Sequence, residues 1–377
     1  MLRSHTFILL LHLYVGLRIL PALPTGSAPF VFTLAWLVVS AAVMPLGFAA
    51  RRIRRQPLSD RLAWTGLVAM GFSSLFVLTL VRDAALLVLH VLPAPWFDAG
   101  ANGTFAYASA IAAPSLAAVM TVVGFFNARR RARVRDVEVP ISGLPAALHG
   151  FTIAQISDLH VGPTIKRRYV DAVVGAVNAL DADLIAVTGD LVDGGVAQLR
   201  AHTEPLRNLS ARYGTYFVTG NHEYYSGVHA WVSELERLGF TVLMNEHVVL
   251  RHRNATLVVA GVTDYGAHHF HPTHQSDPAR ALTGAPRDAS VRLLLAHQPA
   301  SAFEAARAGY HLQLSGHTHG GQFVPWNWFV RFWQPFTAGL HRLGDLWVYV
   351  SRGTGYWGPP KRLGAPSEIT RLRLVPA

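Results

Sequence analysis

Eight side chains able to bind or serve a metal ion fall at the ends of short apolar runs in the second half of the sequence. They are Asp158 and His160 in SDLH, Asp190 in TGD, Asn221 and His222 in GNHE, His297 in AHQP, and His317 and His319 in GHTHG. Seven can ligate a metal directly, and His222 stands beside them. The set mixes carboxylate, amide and imidazole donors and holds no thiolate. That mixture suits Mn, Fe or Zn in a catalytic centre better than a structural zinc site. Asp-x-His and His-x-His put two donors two residues apart. A turn can bend such a pair toward one ion, or His-x-His can send one imidazole to each of two ions. Gly189, Gly220, Gly316, Gly320 and Gly321 permit the tight turns and close backbone approach this requires.

Each motif directly follows a run that reads as a strand. FTIAQIS, DLIAVT, TYFVT, LVVAGV, RLLLA, LQLS, LWVYVS and EITRLRL are short, apolar or β-branched, and bounded by turn residues. Between them, Lys166–Leu180, Val196–Leu209, His229–Leu238 and Ser301–Ala308 have the apolar spacing of amphipathic helices. Strands alternating with helices predict an α/β domain, and loops at strand ends are where a rigid sheet presents functional groups. One such motif alone would more often be a helix cap or a packed side chain. Five in succession, each after a strand, point to a site.

The order D-x-H, GD, GNH[DE], a lone H, then GHxH resembles the calcineurin-like metallophosphoesterase superfamily over about residues 150–375. The ending SRGTGYWGPPKRLGAPSEIT is similar to its membrane-associated bacterial branch, which includes YkuE-type phosphoesterases and UDP-2,3-diacylglucosamine hydrolases. The layout of the N-terminal third is similar to transmembrane proteins with a metallophosphoesterase domain. The resemblance implies a two-layer β-sandwich flanked by helices and two divalent metal ions bridged by Asp190. Asp158, His160 and His319 would complete the first metal site, and Asn221, His297 and His317 the second. His222 would contact a phosphoryl oxygen or protonate the leaving group. Two divalent ions about 3.5–4 Å apart can clamp a phosphoryl group and acidify a water between them, which is metal-dependent phosphoesterase chemistry. An Asp suits the bridging position because its two anionic oxygens can serve both ions. Neutral imidazoles complete the shells without cancelling the cationic field. Glu223 is a candidate to orient His222, with a solvated loop carboxylate as the equal alternative.

The first third of the chain is different in kind. Thr6–Leu23, Pro29–Ala50, Leu62–Val81 and Phe105–Phe126 are apolar and near the roughly 20 residues needed to cross a bilayer. This predicts a bundle of about four transmembrane helices. Arg82 and Asp83 interrupt the third stretch before AALLVLHVL continues it, read as an extended or re-entrant end of the same helix, with a fifth short span as the alternative. Their adjacency reads as an interfacial or bundle-facing ion pair. A cleaved signal peptide over residues 1–28 is the rival for the first span; its apolar region is long for that and Arg18 interrupts it. RRIRR follows span two and ARRRARVR follows span four, while PAPWFDAGANGT between spans three and four has neither Lys nor Arg. Positive-inside bias then places both basic segments and the C-terminal domain in the cytoplasm, giving a multi-pass protein of the inner or plasma membrane. The expected division is a transmembrane region at 1–128, a basic juxtamembrane linker at 129–149 and a catalytic domain at 150–377.

The net charge of +11 over 377 residues raises the question of nucleic acid. Residues 1–139 carry 13 Lys or Arg against 5 Asp or Glu, and the remainder carries 20 against 17. The basic excess flanks the membrane segments, so no nucleic-acid partner is expected. Cysteine is absent, which excludes disulfides and thiolate zinc sites. His268, His269, His271 and His274 read as an exposed loop, since their spacing fits no closed metal site, and Asp264 as a support residue. FVPWNWFVRFWQPF reads as a segment facing the bilayer, with burial in the domain core as the alternative. Lys361 and Arg362 could meet a substrate phosphate or be surface charges. The expected partners are the lipid bilayer and a phosphorylated small-molecule or lipid substrate, such as a lipid-linked phosphate. Tethered hydrolysis of soluble nucleotides or phosphomonoesters, and a scaffold without turnover, are the alternatives.

Overall fold

The computed structural model describes residues 2–50, 53, 55–91 and 99–377. Two compact units emerge: Met1–Asn127 with Gly358–Lys361, and Ala128–Trp357 with Arg362–Ala377.

The first unit is helical. It contains α1 (Leu2–Ile19), α2 (Ala28–Ala49), α3 (Leu58–Ala69), α4 (Phe72–Val91) and α5 (Ala99–Arg129). Among the described residues, four stretches are long and apolar enough to cross a membrane, with Leu58–Val91 counted as one. The expected third span starts four residues late and is two helices, broken at Met70 and Gly71. Helix α4 runs unbroken through Arg82 and Asp83 to Val91, so the apolar continuation belongs to the same helix. Arg82 is buried and donates to Arg18 O at 3.0 Å, Ala106 O at 3.1 Å and Ser109 Oγ at 3.0 Å. Asp83 accepts from Arg18 Nε at 2.7 Å and Tyr14 Oη at 2.6 Å. Arg82 also lies 3.4 Å from Asp83 Oδ1, so the charges that interrupt the first and third apolar stretches pair with one another. Gly47 and Gly66 let α2 and α3 approach backbone to backbone. Arg51, Arg52, Arg54 and residues 93–98, on which part of the orientation argument rests, lie outside the described residues.

The second unit holds two six-stranded sheets. Its strands are β1 (Arg133–Ile141), β2 (Thr152–Ile156), β3 (Leu184–Thr188), β4 (Thr215–Val218), β5 (Thr241–Val242), β6 (Glu246–His252), β7 (Ala255–Gly261), β8 (Val291–Leu295), β9 (Leu312–Ser315), β10 (Gly339–Leu343), β11 (Leu346–Val350) and β12 (Glu368–Pro376). One sheet has the order β1-β12-β2-β3-β4-β5 and the other β10-β11-β9-β8-β7-β6. The central strands are buried on both faces, and side-chain alternation explains why they read as continuous apolar runs. In β3, Leu184 and Ala186 pack between the sheets, while Ile185 and Val187 meet α6 (Arg167–Asn178), α7 (Val196–Thr203) and the later helix α9 (Val228–Arg237), which follows α8 (Asn221–Ser226). In β8, Leu293 and Leu295 face the first sheet, while Leu294 joins the cluster under α10 (Pro278–Ala281) and α11 (Ala302–Arg307). The result is the expected two-layer sandwich flanked by helices.

Four strands were not expected. β1 lies inside the stretch read as linker, yet pairs parallel with β12 from Arg133↔Glu368 to Ile141↔Pro376. Its sequence, RVRDVEVPI, hides it: the edge position leaves its first residues exposed and free to be charged. The predicted helix Val196–Leu209 ends early at Thr203, where a 3₁₀ turn containing Pro205 takes over.

Candidate metal centre

The motif loops gather at one end of the two sheets, and their backbones are unusual. Asp158, His160, Asp190, His317 and His319 all have φ between 51° and 68°, in the left-handed region that non-glycine residues seldom occupy. They make up five of the nine described non-glycine residues of positive φ, so local strain is concentrated in these loops. Hydrogen bonds between loops stabilise that geometry. Asp158 N donates to Gly189 O at 3.0 Å, His160 N to Asp190 O at 3.1 Å and Gly316 N to His297 O at 2.9 Å. Close approach is built in: a Cβ on Gly220 would strike the Asp190 carboxylate, and one on Gly316 would strike Ser157 and the Asp158 carboxylate.

Three groups of possible donors converge there among the described residues: Asp158, His160 and His319; Asp190, His297 and His317; and His160, Asp193 and His222. In the first, His160 Nε2 and His319 Nε2 are 3.1 Å apart, and His319 Nε2 lies 3.4 Å from Asp158 Oδ1. In the second, His317 Nδ1 and His297 Nε2 are 3.2 Å apart, and His297 Nε2 lies 3.2 Å from Asp190 Oδ2. Asp190 Oδ2 is also 3.9 Å from His160 Nε2, so this carboxylate stands between the first two groups. Pairs of ring nitrogens aimed at a common point fit a cation between them. Asn221 Oδ1 is buried with no hydrogen-bond partner, an unsatisfied oxygen that metal ligation would satisfy. The residues therefore fit a dinuclear site built from oxygen and nitrogen donors.

The surroundings orient these side chains. His297 Nδ1 donates to Thr188 O at 2.7 Å, which turns Nε2 toward Asp190; burial disfavours the charged ring, but the Asp190 and Asp158 carboxylates outweigh it and hold His297 well above the usual imidazole range. Burial, reinforced by His297, drives His317 down to about 3, and burial with the Arg362 charge holds His319 well below the usual range. Both rings are thus neutral, the form that binds metal. Arg362 is fully buried; its guanidinium donates to the carbonyls of His319 at 3.0 Å and Arg352 at 2.7 Å, and lies 3.0 Å from His319 Nδ1. It is neither a surface charge nor open to a phosphate. Lys361 is also buried, so neither cation has the exposed position considered from sequence.

The residue that sequence reasoning missed is Asp193. Its Oδ1 accepts from Nδ1 of His160 at 3.0 Å and from Nδ1 of His222 at 2.5 Å. Burial alone would raise its pKa, but the two imidazoles reverse the effect and hold it well below the usual carboxylate range. With Nδ1 of His222 tied to Asp193, Nε2 is turned toward Asp190 Oδ2, 3.9 Å away. Burial disfavours the charged His222, yet Asp190 and Asp193 outweigh it and push this group up to about 9.

Glu223 does something other than orient His222. It is fully buried and accepts from the backbone of Gly220 at 2.7 Å, Asp190 at 3.0 Å and Leu191 at 2.8 Å. It ties the loop after β3 to the loop after β4. In the histidine tract, His268 and His269 are exposed and His271 and His274 half-buried, with Tyr224 Oη 3.0 Å from His274 Nδ1. Asp264 is a support residue, accepting from Gly266 N at 2.9 Å and Gln298 Nε2 at 3.0 Å.

The sequence profile described as calcineurin-like phosphoesterase matches residues 151–321, a range containing all eight residues singled out from sequence and Asp193. A transmembrane protein with metallophosphoesterase domain from Danio rerio is 38% identical over 288 residues, covering 74% of this chain and 65% of that protein. This chain therefore spans just under two thirds of that relative's length. An uncharacterized metallophosphoesterase from Campylobacter jejuni is 31% identical over 326 residues, covering 85% of this chain and 84% of the relative. The uncharacterized metallophosphoesterase YkuE of Bacillus subtilis is 30% identical over 244 residues, covering 61% and 81%. Motif order, sandwich fold, converging donors and these relatives agree, and the chain belongs to the calcineurin-like metallophosphoesterase family.

Proposed function

We propose that this protein is a membrane-anchored, metal-dependent phosphohydrolase that cleaves a phosphoester or pyrophosphate bond in a membrane-associated substrate. The observation that carries the reading is the position of Asp190, whose Oδ2 lies 3.2 Å from His297 Nε2 and 3.9 Å from His160 Nε2. In this reading Asp190 would be shared by two divalent ions, Asp158, His160 and His319 would hold one, and Asn221, His297 and His317 would hold the other. Oxygen and imidazole donors favour Mn, Fe or Zn. When bound, such ions neutralise phosphoryl charge and acidify water. His222 is the general acid: Asp193 holds its Nδ1–H, and its Nε2 presents the proton to the leaving-group oxygen.

Two observations support a substrate at the membrane. Four stretches of the chain have the length and composition of membrane spans, which would confine the catalytic unit to a bilayer surface. Trp326, Trp328, Phe332 and Trp333, just beyond the GHTHGG loop, are between 51% and 74% exposed, which favours the bilayer-facing reading of that segment over burial in the core. The working division takes 1–128 as the membrane region and 150–377 as the catalytic domain, with β1 contributed from the intervening stretch. The arginine pattern supports a multi-pass arrangement with that domain in the cytoplasm. The test is to incubate the metal-loaded protein with a membrane lipid extract and identify the phosphorylated species consumed. A lipid-phosphorus compound should disappear with wild type and persist with Asp190→Ala. Consumption of added soluble nucleotides alone would contradict the membrane substrate.

A further inference from the structure

The acid His222 has a built surrounding that bears on what it protonates. Helix α8 places Tyr225 one turn after His222, so the two side chains share a face, and their ring centroids are 5.2 Å apart. Trp357 comes from the segment between β11 and β12, and its ring lies 6.0 Å from that of His222. Both rings stand steeply to the imidazole, at 68° and 79°, and both remain open to solvent, Tyr225 62% exposed and Trp357 50%. The backbone of Trp357 is nonetheless fixed. The buried Gln322, three residues beyond His319, donates through Nε2 to Trp357 O at 2.8 Å and accepts from Trp357 N at 2.9 Å through Oε1. Phe270 packs against Tyr225 at 5.5 Å and supports it.

Large aromatic rings carried on an anchored backbone yet left exposed beside a catalytic group are poorly accounted for by fold stability. They offer flat faces at little entropic cost to a ligand that stacks. The leaving group must lie at Nε2 of His222, because Nδ1 is occupied by Asp193. We propose that Tyr225 and Trp357 form the leaving-group subsite and that it takes a planar aromatic group. The proposal rests on the reading of His222 as the leaving-group acid, and it adds the chemical class of what departs. A saturated group of equal size would bury similar area but would not stack, so shape rather than hydrophobicity distinguishes the two.

The test uses benzylphosphonate and cyclohexylmethylphosphonate, whose P–C bonds are not hydrolysed, titrated into the metal-loaded, detergent-solubilised full chain by calorimetry. Wild type should bind the benzyl compound about tenfold more tightly than the cyclohexyl one, the scale of aromatic stacking. Trp357→Ala and Tyr225→Ala should each shrink that preference, and Trp357→Phe should restore most of it. Equal affinities in wild type, no binding of either ligand, or an undiminished preference in both alanine variants would overturn the proposal. Turnover of a phosphodiester is read separately, so failure of hydrolysis and failure of the subsite give different results.

Discussion

At the scale of single residues, one carboxylate governs two imidazoles. Asp193 accepts from the Nδ1 of both His160 and His222, so it fixes a metal-facing ring and the acid together. Asp193→Asn replaces that acceptor with an amide and removes the charge that favours protonated His222. The expected result is a fall in kcat of about 10²-fold or more, the usual weight of general acid catalysis. The pH profile should change as well. A His222 raised to about 9 is protonated below that value and loses its proton above it, so wild-type activity should decline on the alkaline side. Bound divalent cations oppose the protonated form, which sets about 9 as the upper end of that limb. In Asp193→Asn the decline should begin at lower pH; a pH–rate profile of both proteins checks it, and an unmoved limb would count against the role. The seven proposed ligands and His222 were legible in the sequence because each closes a strand with a distinctive turn. Asp193 was not, since one carboxylate three residues after Asp190 says nothing of which histidines it will meet. Glu223 was misread for a related reason: its neighbour in sequence is His222, but its hydrogen bonds go to backbone brought from two other loops.

At the scale of elements, the site is a set of loop conformations fastened to one another. Glu223→Ala would leave the buried N–H groups of Gly220, Asp190 and Leu191 without their acceptor. A loss of about 3 kcal/mol is expected, or about 10 °C in the thermal midpoint for a domain of this size. Gly316→Ala acts differently, because the new Cβ would press on Ser157 and the Asp158 carboxylate. Metal affinity should fall about tenfold or more while the far-UV circular dichroism stays that of wild type; chelator competition measures it. The strands that carry the site were readable because they are buried on both faces and therefore uniformly apolar. β1, β5, β6 and β10 lie at or next to the sheet edges, where β1 and β6 carry charges and β5 has only two residues. Edge position removes the burial that writes a strand into sequence.

At the scale of the whole molecule, the basic excess belongs to the helical third and the donors to the sandwich, which is why composition divided the chain before any fold was known. The spans were readable from apolar length, whereas the break at Met70 and Gly71 and the pairing of Asp83 with Arg18 depend on helix packing that hydropathy does not encode. The orientation makes its own prediction: a reporter fused after Ala377 should behave as cytoplasmic, and export of the reporter would contradict it. The central claim is tested most directly by stripping the purified full chain with chelator and following hydrolysis of a chromogenic phosphodiester as Mn²⁺ is returned. Activity should be absent in the stripped protein, rise as two ions bind per chain, and fail to return in Asp190→Ala. Hydrolysis that survives chelation, or none at any Mn²⁺ concentration, would contradict a catalytic dinuclear centre.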